Sequence, residues 1–245
     1  MSANRWDTLW FGIRNSPIAG LYLSELHGIA DAVVQGTETV FDRVRTSEGD
    51  AAYIQVDQGV SGILVDAVTN AARIRSLLVA RPRDRSESAV TFELRARRAA
   101  WLREEVLQGV RLNIVLGASV RNTLEHFDEY IDDLARRAAK KQIPTPILVP
   151  VDFLMSHGRT LDFLLQRSGG IVRPLRGYYA DERLFVNAGR EVNVDALNAE
   201  CRAIRDRVAE HLPRGVLEEP GGSAMYVLTE TSLEVRGLEQ PASDD

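Results

Sequence analysis

The sequence predicts a mostly α-helical protein, a four-helix bundle over residues 1–146 followed by an α+β C-terminal extension over 147–240. Three observations predict this fold class. Four segments before residue 144 repeat apolar residues at helical spacing, and Pro144 and Pro146 then close the last of them. Beyond the prolines, short apolar runs alternate with turn residues, as in a hairpin or small sheet. A fifth helical pattern follows, and the extension could pack with the bundle as one unit.

The first segment carries Tyr22, Leu26, Ile29 and Val33 after Ser16-Pro17, a cap residue followed by proline at the first helical position. The second places Val56, Val60, Ile63, Ala67, Ala71, Ile74 and Leu78 in a 4-3 rhythm. Gly59 and Gly62 lie inside it and would permit close helix packing. "ARPRDRSES" at 80–88 reads as an exposed loop. The third segment starts near Ala89 and aligns Phe92, Ala96, Ala99, Leu102, Val106 and Val110, with no clear end in "VRLNIVLGAS". The fourth sets Val120, Leu124, Phe127, Ile131 and Leu134 at strict 4-3-4-3 spacing, then runs into "ARRAAKKQ", whose positive charges suit a helix C-terminus. In the extension, "ILVPVDFL" is a short apolar run and "GGIVRPLRGYYADERLFVNAG" suggests a hairpin or meander. "NVDALNAECRAIRDRVAEHL" predicts the fifth helix, capped by Asn193 or Asp195. "SAMYVLTETSLEVRG" resembles a last strand, and "LEQPASDD" a polar tail.

Hydrophobic residues at 44% and charged residues at 27% give an ordinary globular profile over 245 residues, enough for a sizeable core. The opening "MSANRWDTLW" lacks a basic region followed by an apolar run, so no secretory signal is expected. No stretch is long and apolar enough for a membrane span, and a cytoplasmic location is the default expectation. Cys201 is the single cysteine, which rules out an intrachain disulfide. His27, His126, His157 and His211 are scattered without metal-ligand spacing, so neither a metal nor another cofactor is expected. No phosphate loop, dinucleotide fingerprint or nucleophile elbow occurs, and Ser156-His157, as neighbours in an extended segment, would face opposite ways. The net charge of −5 disfavours a protein that coats nucleic acid through bulk electrostatics. The basic residues are nonetheless almost all arginine, with Lys140 and Lys141 the only lysines. Arginine offers a planar fork suited to phosphate, although a solvated arginine face is the commoner use.

One helical turn concentrates chemistry-bearing groups. "VRNTLEHFDEY" (120–130) carries Arg121, Asn122, Glu125 and His126 together. On a helical wheel His126 lies about 120° from the centre of the apolar stripe, with Asn122 and Tyr130 beside it. Arg121 falls about 100° to the other side, and Glu125 and Glu129 point away from the core. An ordinary solvated face with weak i,i+4 pairs would explain such a turn. The same groups also suffice for metal-independent RNA cleavage. The ribose 2′-hydroxyl attacks the neighbouring phosphorus, an imidazole moves the proton, and a guanidinium neutralises developing charge. One helix does not easily supply both acid and base, so two copies meeting across a two-fold axis would complete the site.

Arg121-Asn122-Thr123-Leu124-Glu125-His126 resembles the R-N-x-x-x-H signature of the HEPN superfamily, and the resemblance covers roughly residues 16–141. It implies a HEPN-like four-helix bundle that acts as a metal-independent endoribonuclease, a toxin or phage-defence effector. A homodimer with a composite site, RNA as substrate, and an antitoxin or defence-system partner protein are implied with it. Carried over, Arg121 would bind the scissile phosphate, Asn122 would orient it, and His126 would transfer the proton. Glu125, Tyr130 and Arg98 are further candidate substrate contacts. One variant of the family has a tyrosine two residues after the histidine as a modification site; here that position is Asp128. Asp128, Glu129, Asp132 and Asp133 form an acidic rim that would repel phosphate, which "RPRDR" (81–85) and "RARRAAWLR" (95–103) could offset. The alternative is a non-catalytic HEPN-like RNA- or nucleotide-binding protein or dimeric scaffold, in which Asn122, Glu125 and His126 make interhelical hydrogen bonds.

Overall fold

The computed structural model describes residues 17–44, 58–117, 154–156, 176–187 and 190–212, together with Glu129, Asp132, Ala135, Arg136, Ala139 and Lys140. These residues form a mostly helical protein with a small sheet and a C-terminal helix, as expected for the class. Helix α1 spans Pro17–Arg43. It begins at the proline, whose fixed φ suits the first helical position and whose missing N–H would be unpaired there anyway. Leu23, Leu26, Ala30, Val33, Val34 and Val40 are buried along it, whereas Tyr22, expected in the stripe, lies at its edge and is only half-buried. Helix α2 spans Gln58–Leu78 and buries Val60, Ala67, Ala71, Ile74 and Leu78 of the expected 4-3 stripe, with Leu64 and Val68 widening it, whereas Ile63, also expected in it, is only half-buried. Gly62 does not mediate close packing: a Cβ there would meet nothing within 4 Å. Gly36 on α1 is the glycine that faces a neighbour, Ile63 of α2.

Residues 80–88 form the expected exposed loop, and helix α3 spans Ala89–Trp101. Ser88 caps it by accepting the Thr91 N–H on its hydroxyl at 3.0 Å, which satisfies one of the open donors of the first turn. The helix then widens into a π turn, Leu102–Val106, closed by Leu107 N–H donating to Leu102 O at 2.8 Å. The extra residue per turn rotates the apolar stripe, so Trp101, Leu102, Val106 and Leu107 are all buried instead of one residue in every three or four. Gly109, at φ 84°, ends the run in a conformation that only glycine adopts without strain.

Strands β1 (Leu154–Ser156), β2 (Arg176–Tyr179), β3 (Leu184–Asn187) and β4 (Arg190–Asn193) form one sheet in that order. Strands β2, β3 and β4 make the expected antiparallel meander, and β1 adds a parallel pairing with β2. Register puts Met155, Tyr178, Phe185 and Val192 in one row across the sheet, and all four are buried. Tyr179, Leu184 and Val186 cluster on the other face, where β4 presents the exposed Glu191 and Asn193. Helix α4 spans Val194–Ala209. Of the two expected caps Asn193 acts, its Oδ1 accepting Ala196 N–H at 2.7 Å, while Asp195 pairs with Arg183. Val194, Leu197, Cys201, Ile204 and Val208 form its buried stripe.

The chain divides into two compact units, one of Met1–Gly28, Ser76–Val110 and Ile204–Asp245, the other of Ile29–Arg75 and Arg111–Ala203. Within the second, Asn198 of α4 donates to the Thr37 hydroxyl of α1 at 2.7 Å, and that hydroxyl donates to Val33 O and Val34 O at 2.8 and 3.0 Å. Both residues are buried, so the chain of bonds satisfies polar groups that water cannot reach. No described helix is long and apolar enough to cross a membrane. Ser16 and the strand expected at 223–237 lie outside the described residues.

Candidate functional site

Arg121, Asn122, Glu125, His126 and Tyr130 also lie outside the described residues. Residues 111–117 before them and Glu129, Asp132, Ala135, Arg136, Ala139 and Lys140 among or after them are described. Residues 113–117 form a turn in which Leu116 N–H donates to Leu112 O and Gly117 N–H to Ile114 O. Two long-range contacts hold it. Both oxygens of the Glu200 carboxylate, from α4, accept Ile114 N–H at 2.9 Å, and Oε2 also accepts Val115 N–H at 3.0 Å. Arg75 Nε, from α2, donates to Leu116 O at 3.3 Å. Successive backbone N–H groups pointing one way make a local positive site, and here a carboxylate fills it. The last residue of this turn, Gly117, stands four positions before Arg121.

On the far side of the motif, Glu129, Asp132, Ala135, Arg136 and Ala139 have helical backbone and exposed side chains, and Lys140 N–H donates to Arg136 O at 3.1 Å. None of these five belongs to the apolar series from Val120 to Leu134, so their exposure agrees with the wheel. Glu129 in particular is directed to solvent, as its position opposite the stripe requires.

Arg98 is the one candidate substrate contact among the described residues. It sits on α3, half-buried, with Nη2 donating to Ser76 O at 3.0 Å and its guanidinium carbon 5.5 Å from the centre of the Tyr22 ring. Its Nε is buried without a hydrogen-bond partner. Burial pulls this guanidinium below its ordinary value; Tyr22 opposes that shift and the nearby Arg95 adds to it. Cys201 is fully buried on α4, and burial, with Glu200 beside it, pushes its thiol up to about 12, so it stays protonated. Among the described residues no group of three histidine, cysteine or acidic side chains could hold a metal ion.

Glu200 and Asn198 are the residues that sequence reasoning missed. Their only signal was a pair of polar groups beside the apolar stripe of a helix, which most helices share. Comparison with protein families, with curated proteins and with solved structures returns no match to this chain.

Proposed function

We propose that the protein is a metal-independent endoribonuclease of HEPN type, a toxin or phage-defence effector acting as a homodimer with a composite site. The observation that carries this reading is the spacing Arg121-Asn122-x-x-x-His126, which puts a phosphate-binding fork and a neutral-range proton carrier on opposite flanks of one apolar stripe. Eighteen residues make five helical turns, so in a continuous helix Arg121 shares its azimuth with Ala139, which is exposed. The exposure of Asp132, at nearly the same azimuth, adds to this support.

In the proposed reaction His126 accepts or donates the proton as the 2′-hydroxyl attacks phosphorus and the 5′-oxygen leaves. Arg121 neutralises the charge gathering on the phosphoryl oxygens, and Asn122 orients the pair. A second protomer supplies the complementary His126 and Arg121. An antitoxin or defence-system protein is the expected partner.

The test is cleavage of single-stranded RNA by the wild type and by His126→Ala, with chelator present. General acid–base catalysis contributes about 10²–10⁴-fold, so His126→Ala is expected to lose at least about 100-fold with circular dichroism and dimer mass unchanged. Persistent cleavage by that variant removes the assignment. A second reading, the non-catalytic dimeric scaffold, draws on the exposed carboxylates Glu129 and Asp132, which disfavour phosphate nearby. In that reading His126→Ala weakens the dimer and no RNA is cut by either protein.

A further inference from the structure

Between Arg81 and Arg103 stand seven arginines and three acidic residues, a local charge of +4 in a chain that is −5 overall. The two halves of this stretch use their guanidinium groups differently. On α3, Arg95 forks onto the Glu87 carboxylate, Nη1 to Oε1 at 2.7 Å and Nη2 to Oε2 at 2.9 Å. Arg97 Nε donates to Glu93 Oε1 at 2.7 Å, and Arg98 is tied to Ser76 O and Tyr22. Those charges are spent inside the protein.

The loop arginines are not. Arg81, Arg83 and Arg85 are all exposed. Among the described residues Arg83 commits only Nε, to Glu87 O at 3.1 Å, which is one of its five donors. Of the carboxylates nearest in sequence, Glu87 is paired with Arg95, while Asp84 accepts the Ser86 N–H and hydroxyl on Oδ1 at 2.8 and 2.6 Å and keeps its charge, one against the three of the loop arginines. Those two hydrogen bonds hold Asp84 below its ordinary value, with Arg81 a smaller contributor.

We infer that Arg81, Arg83 and Arg85 form a docking row for the phosphodiester backbone of a single-stranded nucleic acid. The choice of RNA within that class rests on the proposed function. Asp84 O accepts Glu87 N–H at 3.1 Å, so residues 84–87 close a turn that carries the exposed Arg85, with the exposed Arg81 and Arg83 just before it. Pro82 stiffens the segment before that turn, because its own φ is fixed and Arg81 before it is steered out of the helical region. A nucleic-acid strand carries a phosphate at every nucleotide, about every 3.4 Å of axis in a duplex, so one short loop can meet several of them. Guanidinium is the side chain that meets each phosphate with a planar fork. The row is also held in shape. Arg95 Nη2 donates to Arg81 O at 3.0 Å while the same guanidinium grips Glu87, so one side chain pins both ends of the loop. A preorganised row loses less entropy on binding than a flexible one. Val90 is the only large apolar residue of α3 left well exposed, too little to insert into a lipid surface.

The experiment uses the full chain and a short fluorescein-labelled 2′-O-methyl oligouridine, followed by fluorescence anisotropy between about 50 and 200 mM KCl. This probe lacks the attacking hydroxyl, so binding is read without cleavage. The variant Arg81→Gln/Arg83→Gln/Arg85→Gln is expected to bind at least about tenfold more weakly, and its salt slope should fall by about 2, three phosphates at roughly 0.7 each. Arg97→Gln, which removes an internally paired charge of the same sign, should stay within about twofold of wild type. Equal affinity and slope in the triple variant would overturn the inference. So would a wild type that ignores the oligonucleotide, or a row whose loss affects only a polyglutamate peptide or phosphatidylserine vesicles. Binding through the row by a protein that cuts no RNA leaves this inference standing and removes the nuclease; undiminished cutting with the row neutralised does the reverse.

Discussion

Glu200 gives the sharpest structural prediction, because its carboxylate accepts both the Ile114 and the Val115 amides of the turn before the motif. In Glu200→Ala both N–H groups lose a charged acceptor. Hydrogen bonds to a charged group contribute about 1.5–3 kcal/mol each when buried. Val115 is fully buried, so water does not readily replace its acceptor, whereas Ile114 is only half-buried and regains part of the loss. The expected destabilisation is therefore about 2–3 kcal/mol. Glu200→Gln keeps one accepting oxygen but turns a donor toward the amides, so it should fall between wild type and alanine. Urea unfolding followed by far-ultraviolet circular dichroism measures the total, and hydrogen exchange with mass spectrometry on peptides covering 110–117 locates it. If Glu200→Ala stays within about 0.5 kcal/mol and the Ile114 and Val115 amides exchange as in wild type, the carboxylate clamp is not what holds this turn.

Thr37→Val should cost about 1–3 kcal/mol in the same urea assay, because it leaves the buried Asn198 amide facing a methyl group, and Thr37→Ser should recover most of that loss; a neutral Thr37→Val would show that Asn198 has another acceptor. Alkaline pH should destabilise the fold through Cys201 and Tyr178, each pushed up to about 12 chiefly by burial. The unfolded thiol and phenol ionise first, so the unfolded state binds fewer protons between the ordinary and the raised values and stability falls as pH rises through that window. Between about pH 8 and about pH 10.5 the drop should be about 2–3 kcal/mol, and a flat urea midpoint across that range would contradict it.

Local signals made the helices readable and left the long-range contacts hidden. Pro17 marked the start of α1 because a proline is tolerated there and nowhere inside the helix. The α2 stripe was legible because one face of that helix is buried from Val60 to Leu78. The end of α3 was not, since the π turn breaks the 3.6-residue period on which the reading depends. The pairing of β1 with β2 was invisible for a different reason: parallel strands meet across long connections, and no turn residue announces them. Residues 121–126 were singled out by residue type and spacing alone. Glu200 and Arg75, which the sequence did not reveal, reach the turn at 113–117 from α4 and α2 through backbone contacts that carry no sequence signature.

The arginines between 81 and 103 show why composition could not settle whether an acidic chain handles phosphate. The fate of each guanidinium depends on whether a carboxylate stands at a reachable spacing. Glu93 lies four residues before Arg97 on one helix face, and Glu87 meets Arg95 across the cap of α3, so those charges cancel locally. Asp84 lies between loop arginines and offsets one of their three charges, with one of its oxygens held by Ser86. At physiological salt, fields between exposed charges fade over about 8 Å, so carboxylates elsewhere in the chain do little to this loop. A net charge of −5 therefore argues against indiscriminate coating of nucleic acid, but it places no limit on a short row of arginines that outnumbers the carboxylate standing among them.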